Sequence, residues 1–276
     1  MYEVILVAEK SVAPGINCVV RSIREASFAS KIIIICPKSQ CELFESHTAN
    51  FDVEVLSEED ILANWGISDI KKRLGRYSYR AGWYYQQFLK LAFCKITDER
   101  SYLIWDADTL CLNKPKFESN GRYIFTPSKE LHKPYFETFK KLFGCSAVAK
   151  KSFISQYMVV NTVICSQMLN ELALKSLSKD WVDAILTAIP LITESEFSEY
   201  ETYGNFIAMR FPEQVIISES NKWFRYGSNI IELNNKNYNS IKKRFHSYKF
   251  VAFERHKQNA AKNLRARLLL AFKISS

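Results

Sequence analysis

The sequence predicts an α/β protein built on a mostly parallel central sheet with flanking helices. Three observations predict it. Short apolar runs of strand length recur through the first half of the 276 residues. Stretches whose apolar residues recur at helical spacing separate those runs. Glycine and proline, 8 and 7 in number, are too few to break the chain into long loops. Strands alternating with helices are joined by right-handed crossovers, which lay them side by side in parallel.

Val4–Ala8 is the first buried strand. After Pro14-Gly15 a helix places Ile16, Val19, Val20, Ile23 and Ala26 on one face. Lys31–Cys36 (KIIIIC) reads as a strand buried on both faces, stopped by Pro37. A polar helix covers Ser39–Ser46, and the alternation in Phe51–Leu56 gives a third strand. Ser57-Glu58-Glu59-Asp60 caps and charges a helix N-terminus. Arg80–Thr97 is a long amphipathic helix, and the turn 98–101 leads into the apolar run Tyr102–Trp105. Arg122–Thr126 is a strand, Pro134–Phe143 a helix, and Ser155–Cys165 one long β-branched strand. Ser166–Leu177, Asp180–Ala188 and Ser198–Met209 are helical, the last with a glycine inside it. Val215–Ile217 and Phe250–Phe253 are late strands. No repeat or linker divides residues 1–255, which read as a single domain.

Composition narrows the class. Hydrophobic residues make up 47% and charged residues 24%, which excludes a disordered chain, a collagen and a coiled-coil rod. The net charge of +9, from 38 Lys+Arg against 29 Asp+Glu, suits phosphate-bearing ligands or an anionic surface. The seven cysteines are odd in number and lack CxxC spacing, so they read as small buried thiols of a reducing compartment, with no zinc site. The N-terminus has no basic stretch before an apolar core, and no window reaches the ~18 apolar residues of a membrane span. The expectation is a soluble, cytoplasmic protein.

The sharpest feature is Tyr102-Leu103-Ile104-Trp105-Asp106-Ala107-Asp108. Four apolar residues put two carboxylates at the exit of a buried strand, where open α/β sheets bind ligands. Like charges two residues apart are reconciled by a hard divalent cation that also takes phosphate oxygens; the alternative is a solvated turn. A phosphatase of the haloacid dehalogenase type also follows a strand with DxD. Here, however, Thr109 stands one place early, and the only later aspartates, Asp180 and Asp183, lie in a helical stretch.

With these residues in view, GWYYQQFLKL, SYLIWDADTLCLNKP and SEYETYGNF, in that order, resemble a family of bacterial glycosyltransferases of the GT-A fold found in surface-polysaccharide loci. The resemblance spans roughly residues 1–255. It implies a nucleotide-sugar donor, Mn²⁺ or Mg²⁺ on the diphosphate, and a saccharide or lipid-linked saccharide acceptor in capsule, O-antigen or lipooligosaccharide synthesis. It further implies that Asp108 ligates the metal and that Asp106 meets the ribose or the metal. Arg80, Gln87 and Lys90 would face the donor, with Lys90 alternatively a solvated helix residue. Glu9, Lys10 and Ser11, after the first strand, would cradle the base. Glu199 and Glu201, at a helix start, are candidate general bases, although Ser198 with Glu201 also spells a capping box. His256, just past the last strand, would close the metal shell or be solvated in a basic tail.

That tail has six Lys/Arg and no acid from Arg255 onward. Residues 256–276 read as a basic amphipathic helix, either docked on the core by its leucines or resting on an anionic membrane. A nucleic-acid-binding protein is one alternative, prompted by the charge and the aromatics, although the basic residues are scattered, no recognised motif appears and no nucleic-acid partner is expected. A non-catalytic scaffold remains the other alternative. The sequence is silent on oligomeric state.

Overall fold

The computed structural model describes residues 1–148, 150–175 and 179–254. The chain opens with β1 (Tyr2–Val7), α1 (Ala13–Glu25), β2 (Ala29–Cys36), α2 (Cys41–Thr48), β3 (Glu54–Ser57) and the one-turn helix α3 (Glu58–Ile61). Next come α4 (Ile67–Leu74), a 3-10 segment over Gly75–Arg80, α5 (Ala81–Ala92), β4 (Ser101–Trp105), β5 (Thr109–Cys111), β6 (Glu118–Ser119) and β7 (Arg122–Phe125). The second half holds α6 (Lys133–Phe143), β8 (Tyr157–Asn161), α7 (Thr162–Lys175), α8 (Trp181–Ala188), α9 (Glu199–Arg210), β9 (Val215–Ile217), β10 (Trp223–Phe224), α10 (Tyr238–Arg244) and β11 (Phe250–Ala252).

Among the described residues the central sheet runs in the order β3-β2-β1-β4-β8, with β8 antiparallel to β4 and the other pairs parallel. Helices cover both faces, which is why Val4–Val7 and Ile32–Cys36 are apolar at every position. The chain leaves β1 toward β2 and β3 and then returns to β4 on the other side. The order therefore reverses between β1 and β4, and the crevice at their carboxyl ends is the topological switch point. Two small sheets, β10-β11-β5 and β6-β7-β9, flank this frame. The register Ala252↔Thr109 brings the end of β11 against the residues after β4.

Four elements differ from the sequence reading. Ser155–Cys165 is not one strand: β8 ends at Asn161, whose Oδ1 accepts the Ile164 N–H at 3.0 Å and starts α7 at once. The apolar residues Val163–Cys165 that extended the strand pattern belong to that helix. The helix expected over Arg80–Thr97 is α-helical from Ala81 to Ala92, with 3-10 turns before and after it. Helices α4 and α10 were not read at all; α4 starts at Gly66, whose N–H bonds Asp69 Oδ2 at 3.2 Å. Residues 256–276 lie outside the described residues. No helix among the described residues is long and apolar enough to cross a membrane.

The glycine inside α9 has a packing reason. A Cβ on Gly204 would stand 2.5 Å from Phe153 Cδ2, and the Phe153 ring is buried against Phe125. Gly204→Ala should therefore destabilise the protein by about 1–3 kcal/mol through overpacking, despite alanine's better helix propensity. Denaturant unfolding of the two proteins checks this; equal midpoints would contradict it.

Candidate active site

The residues after β4 form a four-residue turn closed by Thr109 N–H donating to Asp106 O at 2.9 Å. Trp105 holds it from below, its indole N–H on Thr109 O at 2.7 Å and its ring stacked on Tyr157. The turn is pinned on both flanks. Asp106 N–H donates to Gln156 O at 2.9 Å, and Phe253 N–H donates to Asp108 O at 2.9 Å. Gln156 adopts φ +70°, a left-handed conformation that costs a non-glycine residue on the order of 1 kcal/mol. In that conformation its side chain also donates to Glu254 Oε1 at 2.7 Å. The end of β4, the entry to β8 and the end of β11 thus converge on Asp106 and Asp108.

A buried ammonium organises the inner wall. Lys90 Nζ donates to Asp106 Oδ1 at 2.6 Å and to Glu199 Oε1 at 2.7 Å. The Tyr200 hydroxyl donates to the same Asp106 oxygen at 2.8 Å, and the ammonium sits 4.8 Å from the Tyr200 ring centroid. Lys90 is 8% exposed and Glu199 4%, so Lys90 is not a solvated helix residue. Burial works to lower the Lys90 pKa, but Asp106 and then Glu199 carry it above the usual lysine value. Burial raises the Glu199 carboxyl, with Lys90 opposing and Asp106 adding to the rise.

Helix α5 brings this about with one face. Tyr84, Gln87 and Lys90 stand a helical turn apart. The Tyr84 hydroxyl accepts the Glu196 N–H at 3.0 Å, and Gln87 Oε1 accepts the Glu199 N–H at 3.1 Å. Ser198 Oγ accepts the Glu201 N–H at 3.3 Å, so Ser198 caps α9. The reciprocal half of the capping box is missing: the Glu201 carboxylate turns inward to Phe153 N–H at 3.3 Å and Asn205 at 3.4 Å. Burial, against bonds from Ser152 and Phe153, pushes the Glu201 carboxyl up to about 7.

The other residues named from the sequence sit as follows. Gln87 has its amide occupied inside the protein, its Nε2 on Trp83 O at 3.2 Å. Arg80 lies about 15 Å along the helix from Lys90, at 1.5 Å per residue. There its guanidinium bonds Ser195 Oγ at 3.1 Å and covers the Trp83 ring, so the structure does not bring it to the aspartates. Glu9, Lys10 and Ser11 form the exit loop of β1 on the other lip of the crevice, with Ser11 bonded to Glu9. His256 lies outside the described residues.

Asp108 carries the site's electrostatic signature. Burial, then Asp106 and Glu254, push its carboxyl up to about 7, with Lys90 only partly opposing. Among the described residues no three His, Cys, Asp or Glu side chains stand close enough to enclose a cation. The donors that the turn after β4 does offer, the two carboxylates of Asp106 and Asp108, are of the oxygen type that a hard cation of the Mg²⁺ or Mn²⁺ kind would use beside water and phosphate. Sequence reasoning passed over Tyr200 and Glu254. Tyr200 sits between the two glutamates at the start of α9, and Glu254 follows β11 directly, nearer the strand end than His256. Both signals were in the sequence.

The model of a family of unknown function, DUF6492, matches residues 19–237, and the chain belongs to that family. No curated protein matches it. Among solved structures, galactosyltransferase LgtC in complex with donor and acceptor sugar analogs is 13% identical, with 98% of this chain and 95% of that one covered and a TM-score of 0.51. An active-site mutant of LgtC gives the same identity and coverage with a TM-score of 0.54. The apo form of mouse xyloside xylosyltransferase 1 is 12% identical over 91% of this chain and 97% of that one, with a TM-score of 0.48. The likeness to LgtC shows the fold, which is GT-A.

Removing the buried cation tests the organisation of the site. Lys90→Met leaves Asp106 and Glu199 buried without their shared partner and should cost about 3–5 kcal/mol in denaturant unfolding. Adding Asp106→Asn to it should recover part of the loss. An unchanged midpoint for Lys90→Met would show that the ion pairs hold nothing together.

Proposed function

We propose that this DUF6492 member is a glycosyltransferase that takes a sugar from a nucleotide-sugar donor bound across the β1–β4 crevice. The observation that carries the reading is the pair Asp106 and Asp108 at the switch point of a GT-A sheet, held by different partners. Asp106 is hydrogen-bonded to Lys90 and Tyr200. Asp108 lies beside Glu254, with Lys90 only partly offsetting what burial and the neighbouring carboxylates do to it. We assign Asp108 as the cation ligand on the protein side; a divalent cation there supplies Lewis-acid stabilisation of the departing diphosphate.

The chain's own residues do the rest. Lys90 fixes the Asp106 carboxylate, which leaves its Oδ2 to face the donor. Lys90 also holds Glu199 at the start of α9 by one oxygen, Oε1, leaving Oε2 as the acceptor of a proton from the attacking hydroxyl. Glu201 has its Oε2 engaged within the protein, by Phe153 N–H and Asn205, and its Oε1 buried, and we assign it to anchoring the 152–153 loop to α9. Glu9, Lys10 and Ser11 lie where the β1 loop meets the nucleoside side of the donor. The acceptor class, a saccharide or lipid-linked saccharide of bacterial surface polysaccharides, rests on the sequence resemblance. So do the choice of Mn²⁺ or Mg²⁺ and any contact of the tail with the inner face of the cytoplasmic membrane.

Donor hydrolysis across a panel of nucleotide sugars tests this. Asp108→Ala should abolish cation-dependent turnover while the melting temperature stays level or rises, since a buried, poorly compensated carboxylate is lost. Full turnover by the wild type in excess EDTA would refute the cation's role.

The base has its own expectation. Glu199→Gln should lower turnover ~10²-fold or more, the scale of a lost general base, at unchanged donor affinity. Near-normal turnover for that variant beside a dead Glu201→Gln would move the assignment to Glu201.

A further inference from the structure

Glu58 is the first residue of α3, directly after β3. The register Ser57↔Cys36 places it at the carboxyl end of β2, on the ligand-binding edge of the sheet. It is 9% exposed, yet its carboxylate takes part in no hydrogen bond or ion pair given for the described residues. The groups whose charge it feels or that feel its own are Glu9 on the β1 exit loop, Glu59, Cys36 at the end of β2, and Tyr85 on α5. None is a cation. Lys38, on the same edge, pairs with Glu59 at 3.9 Å. Burial first, then Glu59 and Glu9, push the Glu58 carboxyl up to about 7. A largely buried acid in this state is a poor structural element, because no partner among the described residues repays its partial desolvation, and its carboxylate oxygens keep contact with solvent.

Position supplies the reason to keep it. The sheet order β3-β2-β1-β4 puts three strand spacings, about 14 Å, between the exit of β3 and the exit of β4 where Asp108 lies. That is the order of length of an extended nucleoside diphosphate. A ligand with its phosphates at Asp108 and its body along the strand ends, over the Glu9–Ser11 loop, carries its nucleoside to Glu58. An ionised carboxylate is an acceptor only, with two oxygens side by side. It is complementary to a ligand edge bearing adjacent donors. On a nucleoside these are the ribose diol or the N–H groups of a base edge.

We infer that Glu58 receives paired hydrogen-bond donors of the nucleoside and is the residue by which this chain recognises its nucleotide. The inference rests on the donor reading proposed above. The full chain, with Mn²⁺ present, is titrated calorimetrically with inorganic pyrophosphate and with UDP, CDP, GDP and ADP. The same titrations are run on Glu58→Gln and on the exposed neighbour variant Glu59→Gln. The wild type should prefer one nucleoside diphosphate over pyrophosphate. Glu58→Gln should bind that nucleotide about tenfold or more weakly, the loss of one charge-assisted hydrogen bond. Its pyrophosphate affinity should be unchanged and its melting temperature level or higher. Glu59→Gln should match the wild type throughout.

The 2′-deoxy form of the preferred nucleotide separates the two donor edges. If the wild type discriminates against it and Glu58→Gln does not, the partner is the ribose. If Glu58→Gln instead reorders the preference among bases, the partner is the base. Should Glu58→Gln not fold, Glu58→Asp, which keeps the charge and retracts it by one methylene, should show the same selective weakening. Nucleotide affinity unchanged in the variant, or a lowered melting temperature with pyrophosphate and nucleotide weakened alike, overturns the inference and leaves the donor reading standing. A wild type that binds pyrophosphate and every nucleoside diphosphate equally also overturns it. A wild type that binds none of these ligands ends both.

Discussion

The site depends on one ammonium group. Lys90, Asp106 and Glu199 come from three separate stretches of sequence, and each sits on a different element: the end of α5, the exit of β4 and the first turn of α9. Two buried carboxylates would repel one another at this range. With Lys90 between them at 2.6 and 2.7 Å they become the pins that fix a strand end against a helix start. The Tyr200 hydroxyl adds a bond to Asp106 and its ring lies beside the ammonium. Every donor and acceptor that faces inward at this point, the ammonium, Asp106 Oδ1 and Glu199 Oε1, is thereby engaged, while one oxygen of each carboxylate is left over.

Charge is distributed unequally because Lys90 reaches only one of the two aspartates. Asp106 shares the ammonium with Glu199, whereas Asp108 faces Glu254. Glu254 is itself gripped by Arg225, which bonds both its oxygens, at 2.9 and 3.1 Å, and also binds Glu130. Arg225 is thus divided between two carboxylates, Glu254 and Glu130. Among the described residues Asp108 is the carboxylate after β4 that has no cation bonded to it. That is where an exogenous cation has the most to gain.

The sheet was legible because its strands are buried on both faces: runs such as Ile32–Cys36 have no other reading in a chain with so few breakers. The turn Asp106–Asp108 was legible for the same reason, since a polar pair after four apolar residues marks a strand exit. The boundary at Asn161 was not, because a strand that hands directly to a helix leaves no polar gap, and the cap is one asparagine among β-branched neighbours. Lys90 and Glu199 were both singled out, but their pairing was invisible. They are 109 residues apart, and nothing local distinguishes a lysine that points to solvent from one that points inward. Tyr200 carries no local mark of its role beyond its place between two glutamates, because a tyrosine at a helix start is usually a packing residue and its partner Asp106 lies 94 residues away. Arg80 and Gln87 share a helix with Lys90, yet helical rise and amide bonding give each a different task.

The same helix shows why the start of α9 is rigid rather than merely near the aspartates. Moving along α5 from Arg80 to Lys90, the side chains engage Ser195, Glu196 N–H, Glu199 N–H and finally the Glu199 carboxylate. The segment ahead of α9 is tied down further out, with Arg76 on Leu191 O at 2.8 Å and the Tyr77 hydroxyl on Ile192 O at 2.5 Å. Backbone donors at a helix start would otherwise be left open, and here Gln87 and Ser198 close two of them. A carboxylate at such a start keeps its place without needing its own side chain as the cap. Glu199 can therefore be held by Lys90 through one oxygen and still present the other, whereas Glu201 is held through Oε2 by Phe153 N–H and Asn205 and keeps its Oε1 buried beneath the helix, away from the crevice, with no hydrogen-bond partner among the described residues.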